Sequence, residues 1–450
     1  MRITFFILFL ILSNPVLAKE LFTRDKIEQY LTQENPYVYS AIGKEFIYKE
    51  KYRYTLGAFD TKIVAKYDKK EYPVSKGEFV NVGVEKPIEN GMKFSIGYRK
   101  AEGTQEYNNI KTSQNGEMLL GVKIPLFSVL NDTSKRKLNL HSASLDSAMY
   151  EYKSKNNLRI LYFNIIKVYN ELLFYKGILE VEKELLIRAK NRKLIVAKEV
   201  QVGAVADLSL VEVEQQILNR KQRVIKAENS YSSALESFLK YLNLSRNTFD
   251  MLYTLPFMPD IEKKYLNLEQ IINQALEKRP DLKTYDYEIK KINLQEKQTN
   301  VMKYPKFNVS LYGVHDFKYE NGFKVSLDMD FPLERRKYEA SYAKNRKSIK
   351  NIQSMKQKQI FDIKTTITNI LYSLNNVYLN INNSIQEIKL VQQLEIAEYK
   401  KYKLGMSNLF MVNMREIYTL QTKKKLLRYH LEFLLLEEKL KKEIGESLMI

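Results

Sequence analysis

Residues 158–179 read LRILYFNIIKVYNELLFYKGIL, and residues 360–381 read IFDIKTTITNILYSLNNVYLNI. In the first stretch Leu158, Leu161, Ile165, Val168, Leu172, Tyr175 and Leu179 step by three and four residues. In the second, Ile360, Ile363, Ile367, Ile370, Leu374, Val377 and Ile381 do the same. Every pair is offset by 202, from 360 − 158. Gly203 and Gly405 share that offset, and each precedes a short turn and another helical stretch. Alternating three-four spacing is the apolar seam of a coiled coil. A constant offset over seven positions and a glycine marks one unit written twice.

The repeat extends on both sides of the seam. Asn35-Pro36 and Arg279-Pro280 open helical stretches, and each leads into strand-like sequence. The strands run out at Pro125-Leu126 and Pro332-Leu333, followed by basic helix starts at Lys135-Arg136-Lys137 and Arg335-Arg336-Lys337. A continuous helix from Lys135 to Val202 would be about 100 Å long at 1.5 Å per residue, and one from Glu334 to Leu404 about 105 Å. The return helices, Asp207–Leu242 and Ser407–Ile444, are about half that length. Such lengths fit the wall of a tube better than a globular core. The organisation expected is a leader over 1–18, a first repeat over 19–248 with strands at about 59–126, and a linker over 249–266. A second repeat then follows over 267–445, with strands at about 306–331.

Between the helices, apolar and polar residues alternate. Phe323, Val325, Leu327, Met329 and Phe331 alternate with Lys324, Ser326, Asp328 and Asp330; Phe307, Val309 and Leu311 alternate with Asn308 and Ser310. In the first half Met92, Phe94, Ile96 and Tyr98 form one such set, and Met118, Leu120, Val122 and Ile124 another. Segments of this kind are the signature of a transmembrane barrel wall, and alternation alone equally fits a soluble sandwich; the long helices beside them favour the wall. Two further strand-like runs, Phe59–Tyr67 and Val80–Val84, precede the tight turn at Asn90-Gly91. They either enlarge the wall or form a collar at its base. The outer loops are expected at Lys100–Gly116 and Gly313–Gly322. Two to six strands cannot close a barrel, whose minimum is eight, so several chains must share one wall.

Arg2, the apolar run Ile3–Leu12 and the small-residue site Val16-Leu17-Ala18 read as an export signal. Beyond Leu12 no stretch reaches the ~18–20 apolar residues of a membrane helix. There is no cysteine, which excludes disulfides, thiolate catalysis and an acyl anchor, and suits an oxidising compartment. The net charge of +20 comes from Lys and Arg spread among Glu along helical faces. With an export signal this reads as solvated faces, with no nucleic-acid partner.

The ordered, doubled set of features resembles the TolC-type outer-membrane efflux factor family. The resemblance implies a homotrimeric barrel with few strands per chain. A long α-helical coiled-coil tunnel would continue it into the periplasm. It also implies docking of the helical tips on a periplasmic adaptor, which engages an inner-membrane transporter. Val202-Gly203-Ala204 resembles the first hairpin tip and Leu404-Gly405-Met406 the second. Tyr402 matches the tyrosine of the family's tip lock. The arginine and aspartate positions of that lock are Ser407 and Ser209 here, with Asp207 nearby, so the lock is not reproduced. The family's pore-ringing acidic positions, six and nine beyond the second glycine, are Met411 and Met414. These two either stack as apolar rings at a pore constriction, pack into the helix bundle, or offer thioether ligands to a soft metal. The two basic clusters are expected at the headgroups of the outer-membrane lipid.

Histidines 141, 315 and 430 lack any chelating spacing, and neither GxxxxGK nor GxSxG occurs. No catalytic residue, metal site or cofactor is expected. The carboxylates Glu437-Glu438 read as solvated helix partners. The alternative is a periplasmic coiled-coil adaptor or a secreted coiled-coil adhesin. An adaptor would carry one hairpin on a β domain, and an adhesin would not need polar-in alternation.

Overall fold

The computed structural model describes residues 19–73, 75–103, 112–262 and 267–446. The expected leader, 1–18, lies outside the described residues, as do the middle of the first outer loop and the end of the linker. In chain order the elements are β1 (Glu20–Leu21), α1 (Pro36–Leu56), β2 (Lys62–Tyr72), β3 (Ser75–Pro87), β4 (Lys93–Gly103), β5 (Glu117–Pro125), α2 (Leu126–Leu130), α3 (Lys135–Gln201) and α4 (Leu208–Leu242). There follow α5 (Arg246–Leu252), β6 (Tyr253–Thr254), α6 (Leu268–Lys278), α7 (Pro280–Val301), β7 (Lys306–Asp316), β8 (Glu320–Asp330), α8 (Arg336–Lys403) and α9 (Leu409–Ile444). The long helices α3 and α8 have 67 and 68 residues, and the return helices α4 and α9 have 35 and 36.

Contacts divide the chain differently from the repeat. One unit takes the chain up to Ser40, Leu158–Lys278 and everything from Lys364; the other takes Ala41–Asn157 and Arg279–Ile363. Each unit draws on both sequence halves. A repeat copied in sequence need not fold alone when its seams find partners in the other copy.

The second of these units holds one antiparallel sheet in the order β2-β3-β4-β5-β7-β8. Its registers bring Ile63, Val84, Ile96 and Leu120 side by side on one face, continuing through Gly313 to Phe323. The next positions place Phe94, Val122, Leu311 and Val325 on that same face. These apolar side chains are mostly exposed. The other face carries Glu85, Lys93, Arg99, Glu117, Lys123, Ser310, Tyr312 and Asp328. There Lys93 pairs with Glu85 at 2.6 Å, and Arg99 pairs with Glu117, which is buried. Because strand residues alternate sides, two faces of opposite character follow directly from the sequence alternation.

The strands are longer than the alternation suggested. β2 starts at Lys62, after a 3-10 turn at Gly57–Phe59, and continues through Asp68-Lys69-Lys70-Glu71. β7 runs on to Asp316 and β8 begins at Glu320, so the expected loop at Gly313–Gly322 reduces to a three-residue turn. In both places the ladder outlasts the apolar residues. Backbone pairing continues where cross-strand pairs such as Lys69↔Glu78 and Glu71↔Lys76 match in charge.

Below the sheet's chain exits the same unit contains α1, α7 and the beginnings of α3 and α8. Tyr48 stacks on Tyr150, Lys291 donates to Asp146 at 2.7 and 2.8 Å, and Lys356 donates to Asp286 at 2.6 Å.

In the first unit the heptad seams are buried. Leu158, Ile165, Leu172 and Leu179 of α3 are inside, as are Ile363, Ile367, Ile370, Leu374, Val377 and Ile381 of α8. Ile363 falls just on the other side of the division within α8. An aromatic cluster of Phe22, Tyr169, Phe238, Phe249 and Tyr253 packs beside α3, with ring centroids 5.0–6.4 Å apart. Glu438, expected in solvent, is buried and accepts two hydrogen bonds from Arg24, at 2.5 and 2.9 Å. The residues are far apart in sequence, so helical spacing carried no sign of the pair.

Candidate functional site: the two helical tips

At the first tip, the Gly203 N–H donates to the Val200 carbonyl and the Ala204 N–H to the Glu199 carbonyl. At the second, Gly405 donates to Tyr402 and Met406 to Lys401. Both tips are therefore the same Schellman termination, which needs a left-handed residue after the helix. Gly203 has φ +71° and Gly405 φ +70°. An added Cβ at either glycine meets nothing within 4 Å, so the requirement is conformational, not steric.

The return helices start differently. The Asn408 side chain caps α9 by accepting from the Met411 N–H at 3.0 Å. Asp207, at the equivalent place on α4, makes no side-chain cap. Around the turns the side chains are apolar and outward: Val202 is 78%, Leu404 73% and Met406 73% exposed. Ala204 is exposed as well. Exposed apolar groups on a loop are the kind of surface that partners use.

Tyr402 is half-buried and packs on Ala189, Val196, Val213, Ile217 and Leu409. Its hydroxyl donates to Glu199 at 2.9 Å, tying the end of α8 to the end of α3. Burial and the Glu199 carboxylate push its pKa up to about 12. Ser407, where the resemblance places an arginine, donates to Glu398 at 2.6 Å. Two hydroxyls thus donate to carboxylates at the tip, and Arg415 stands 3.7 Å from the same Glu398.

About two turns further in lies a cluster that the sequence reading missed. Glu416 is buried between Arg192 of α3 and Arg220 of α4. It accepts from both, the Arg220 bond being 2.7 Å. Arg192 also donates to Asn413 at 2.9 Å, and Arg220 to the Leu185 carbonyl at 2.9 Å. Burial alone would raise the Glu416 pKa. The hydrogen bond and charge of Arg192, together with Arg220, outweigh it and hold the carboxyl below its usual range. In a chain this basic, two arginines spaced along helices look like solvated residues, which is why the cluster was not legible.

Met411 and Met414 are not packed inside the chain. Both are exposed, and with Tyr418 they occupy spacings of three and four on α9. Tyr418 carries no signal of its own in the sequence, since one tyrosine among the Lys and Leu of α9 marks no face. Among the described residues no group of three or more His, Asp or Glu could hold a metal ion.

In the other unit, Lys135 is exposed, whereas Arg136 and Lys137 are half-buried. Lys137 donates to Asp132 at 2.7–2.8 Å. Arg335, Arg336 and Lys337 are all exposed, and Arg335 lies with φ +51° over the Phe331 ring at 5.3 Å. Both clusters sit at the starts of the long helices, the first separated from β5 by α2 and the second a few residues beyond β8.

No family model and no curated protein matches the sequence. Solved structures do match. The outer membrane channel CmeC of Campylobacter jejuni is 12% identical and aligns with TM-score 0.70 over 94% of this chain and 85% of its own. The outer membrane protein VceC of Vibrio cholerae is 12% identical, with TM-score 0.69 over 94% and 96%. The open-state MtrE outer membrane channel of Neisseria gonorrhoeae is 12% identical, with TM-score 0.69 over 93% and 88%. At such identities the likeness is one of architecture, and it spans nearly the whole of both partners. From the amphipathic sheet to the twin glycine tips, this chain has the TolC-type fold of outer-membrane channels.

Proposed function

We infer that this protein is the outer-membrane duct of an export system, in which three copies form a continuous passage from periplasm to exterior. The carrying observation is the six-stranded sheet with one apolar, exposed face and one charged face. A single sheet with open edges is not stable in lipid, where each unpaired backbone group costs several kcal/mol. Closure by further copies removes the edges. The helices support the same reading. Val211, Leu218 and Ile225 of α4 recur every seven residues and are exposed, as are Tyr372 and Leu379 of α8. A seven-residue apolar line without a partner in its own chain suits a partner in another.

The tips are the docking surface for a periplasmic adaptor, with Val202, Leu404 and Met406 as the apolar contacts and Gly203 and Gly405 allowing close approach. Met411 and Met414 stack as apolar rings at the pore constriction. Their exposure supports this over packing within the bundle. The basic starts of α3 and α8 lie at the inner headgroups of the outer membrane. Cargo passes unchanged, driven by the inner-membrane transporter that the adaptor engages.

Fractionation and gel migration test the central reading. The protein is expected in outer membranes, with a trimer-sized band that collapses on heating; a soluble monomer in the periplasm would overturn it in favour of an adaptor or adhesin. In a planar bilayer, the channel with methionine rings is expected to resist block by trivalent cations. Met411→Asp with Met414→Asp should create that block.

A further inference from the structure

The resemblance to TolC-type channels carries four barrel strands per chain, yet this chain has six in one sheet. The extra hairpin β2–β3 is not a loosely attached flap. β3 pairs with β4 over eleven residue positions, from Gly77↔Gly103 to Pro87↔Lys93, whereas β4 and β5 pair over seven. All six strands have 9 to 13 residues, the length a tilted strand needs to cross a bilayer.

The apolar band also crosses onto the hairpin without a break. Ile63 pairs with Val84, Ala65 with Val82 and Tyr67 with Val80, all on the face that carries Ile96, Leu120 and Phe323. One pair beyond Tyr67↔Val80 the same face is charged on three strands at one level, at Lys69, Glu78 and Glu102, and on β4 the charge begins at Lys100, opposite Val80. A common upper limit is what one bilayer imposes on one wall. In a water-exposed collar, Ile63 at 81% and Tyr67 at 62% exposure would stand in solvent without cause.

The two open edges complement each other. The charged face of β2 carries Lys62, Lys66, Asp68 and Lys70, and that of β8 carries Glu320, Lys324, Asp328 and Asp330. One edge is predominantly basic and the other predominantly acidic. Six strands is an even number, so β2 of one copy runs antiparallel to β8 of the next, as every neighbouring pair within the sheet already does.

We propose that β2 is the intersubunit strand of the wall, pairing with β8 of a second copy so that three chains close an eighteen-stranded barrel. The inference rests on the trimeric duct reading and adds its subunit contact. Barrel diameter grows roughly in proportion to strand number, so the membrane pore is about 1.5 times as wide as that of a twelve-stranded wall.

The protein has no cysteine, so introduced thiols report on one contact each. One set pairs Leu327→Cys on β8 with Ile63→Cys, Ala65→Cys or Tyr67→Cys on β2. The other pairs Leu327→Cys with Phe94→Cys, Ile96→Cys or Tyr98→Cys on β4. A disulfide needs Cβ atoms about 3.8 Å apart, and within one chain both strand pairs are separated by intervening strands. Full-length protein in outer membranes is oxidised and run unreduced, with a lysine-reactive crosslinker in parallel. Covalent trimer is expected from at least one β2–β8 combination and from none of the β4–β8 set. Trimer from β4–β8 would overturn the inference and leave a twelve-stranded duct. Trimer with the lysine reagent but no disulfide from either set would also overturn it. No trimer with any reagent would overturn the duct reading itself.

Discussion

Helices α3 and α8 carry the same seam at an offset of 202, and the chain treats them differently. Along α3 burial spreads past the seam: Ile166, Tyr169 and Leu173 are buried as well. At the matching positions of α8 stand Thr368, Leu371 and Asn375, which are half-buried or exposed. The cause lies next to α3, where Phe22, Phe238 and Phe249 pack and the Tyr169 hydroxyl donates to the Phe22 carbonyl at 2.9 Å. Beyond its seam α8 turns apolar side chains outward, Tyr372 being 68% exposed. Along this middle stretch α3 is covered by its own chain, although Ile187 and Leu194 nearer the tip are exposed. At the matching stretch α8 leaves an apolar face uncovered.

The sharpest way to break this contrast is to remove the packing beside α3. Phe238→Ala is expected to cost about 3–5 kcal/mol, because a buried ring leaves a cavity. Chemical denaturation of the detergent-extracted protein, followed by helical signal, measures it. A loss below about 1 kcal/mol would mean that α3 is no better held than α8.

Glu416 comes next. Glu416→Ala leaves Arg192 and Arg220 buried without their carboxylate, at an expected cost of about 3–5 kcal/mol, felt most at the tips. Its protonation gives a gentler test. The folded pKa lies below the ordinary value, so the stabilising contribution is complete above about pH 4.3 and fades as pH falls through the lower folded value. Glu416→Gln should flatten the acid side of the melting profile. An unchanged acid slope would place the pH sensitivity elsewhere.

A smaller effect is expected at the joint between the two helices. Tyr402→Phe removes only the hydrogen bond to Glu199, about 1 kcal/mol, and keeps the ring against the tip core. Channel recordings should show more frequent spontaneous opening with unaltered open conductance. The smallest effect on the single chain belongs to Tyr372→Ala, within about 0.5 kcal/mol as for other exposed positions. Its consequence should appear in the assembly instead, as a trimer band that dissociates at lower temperature. If Tyr372→Ala lowered monomer stability and spared the trimer, the division of labour between α3 and α8 would be wrong.

Much of this was legible because helical and strand periods are local. The three-four spacing around Leu172 and Leu374 defined both seams, and alternation around Ile96 and Val325 defined the wall. Where a signal is not periodic, reading stopped short. The charged outer half of β2, Asp68–Glu71, is strand because β3 pairs with it, and no alternation announced it. The tip glycines stood out by their spacing, whereas Arg192, Arg220 and Glu416 did not, since charges that meet across three helices have no common sequence register.

By itself, then, the sequence determined which faces are apolar, how long the helices are and where they reverse. These depend on the order of residues within a few turns. Tertiary structure alone decided that the two halves exchange segments to build two units, that β2–β3 joins the sheet beside β4, and that Glu438 is buried against Arg24, 414 residues away. Sheet neighbours and buried ion pairs are chosen by which distant surfaces can satisfy each other's backbone and charge, and that choice exists only once the chain has folded back on itself.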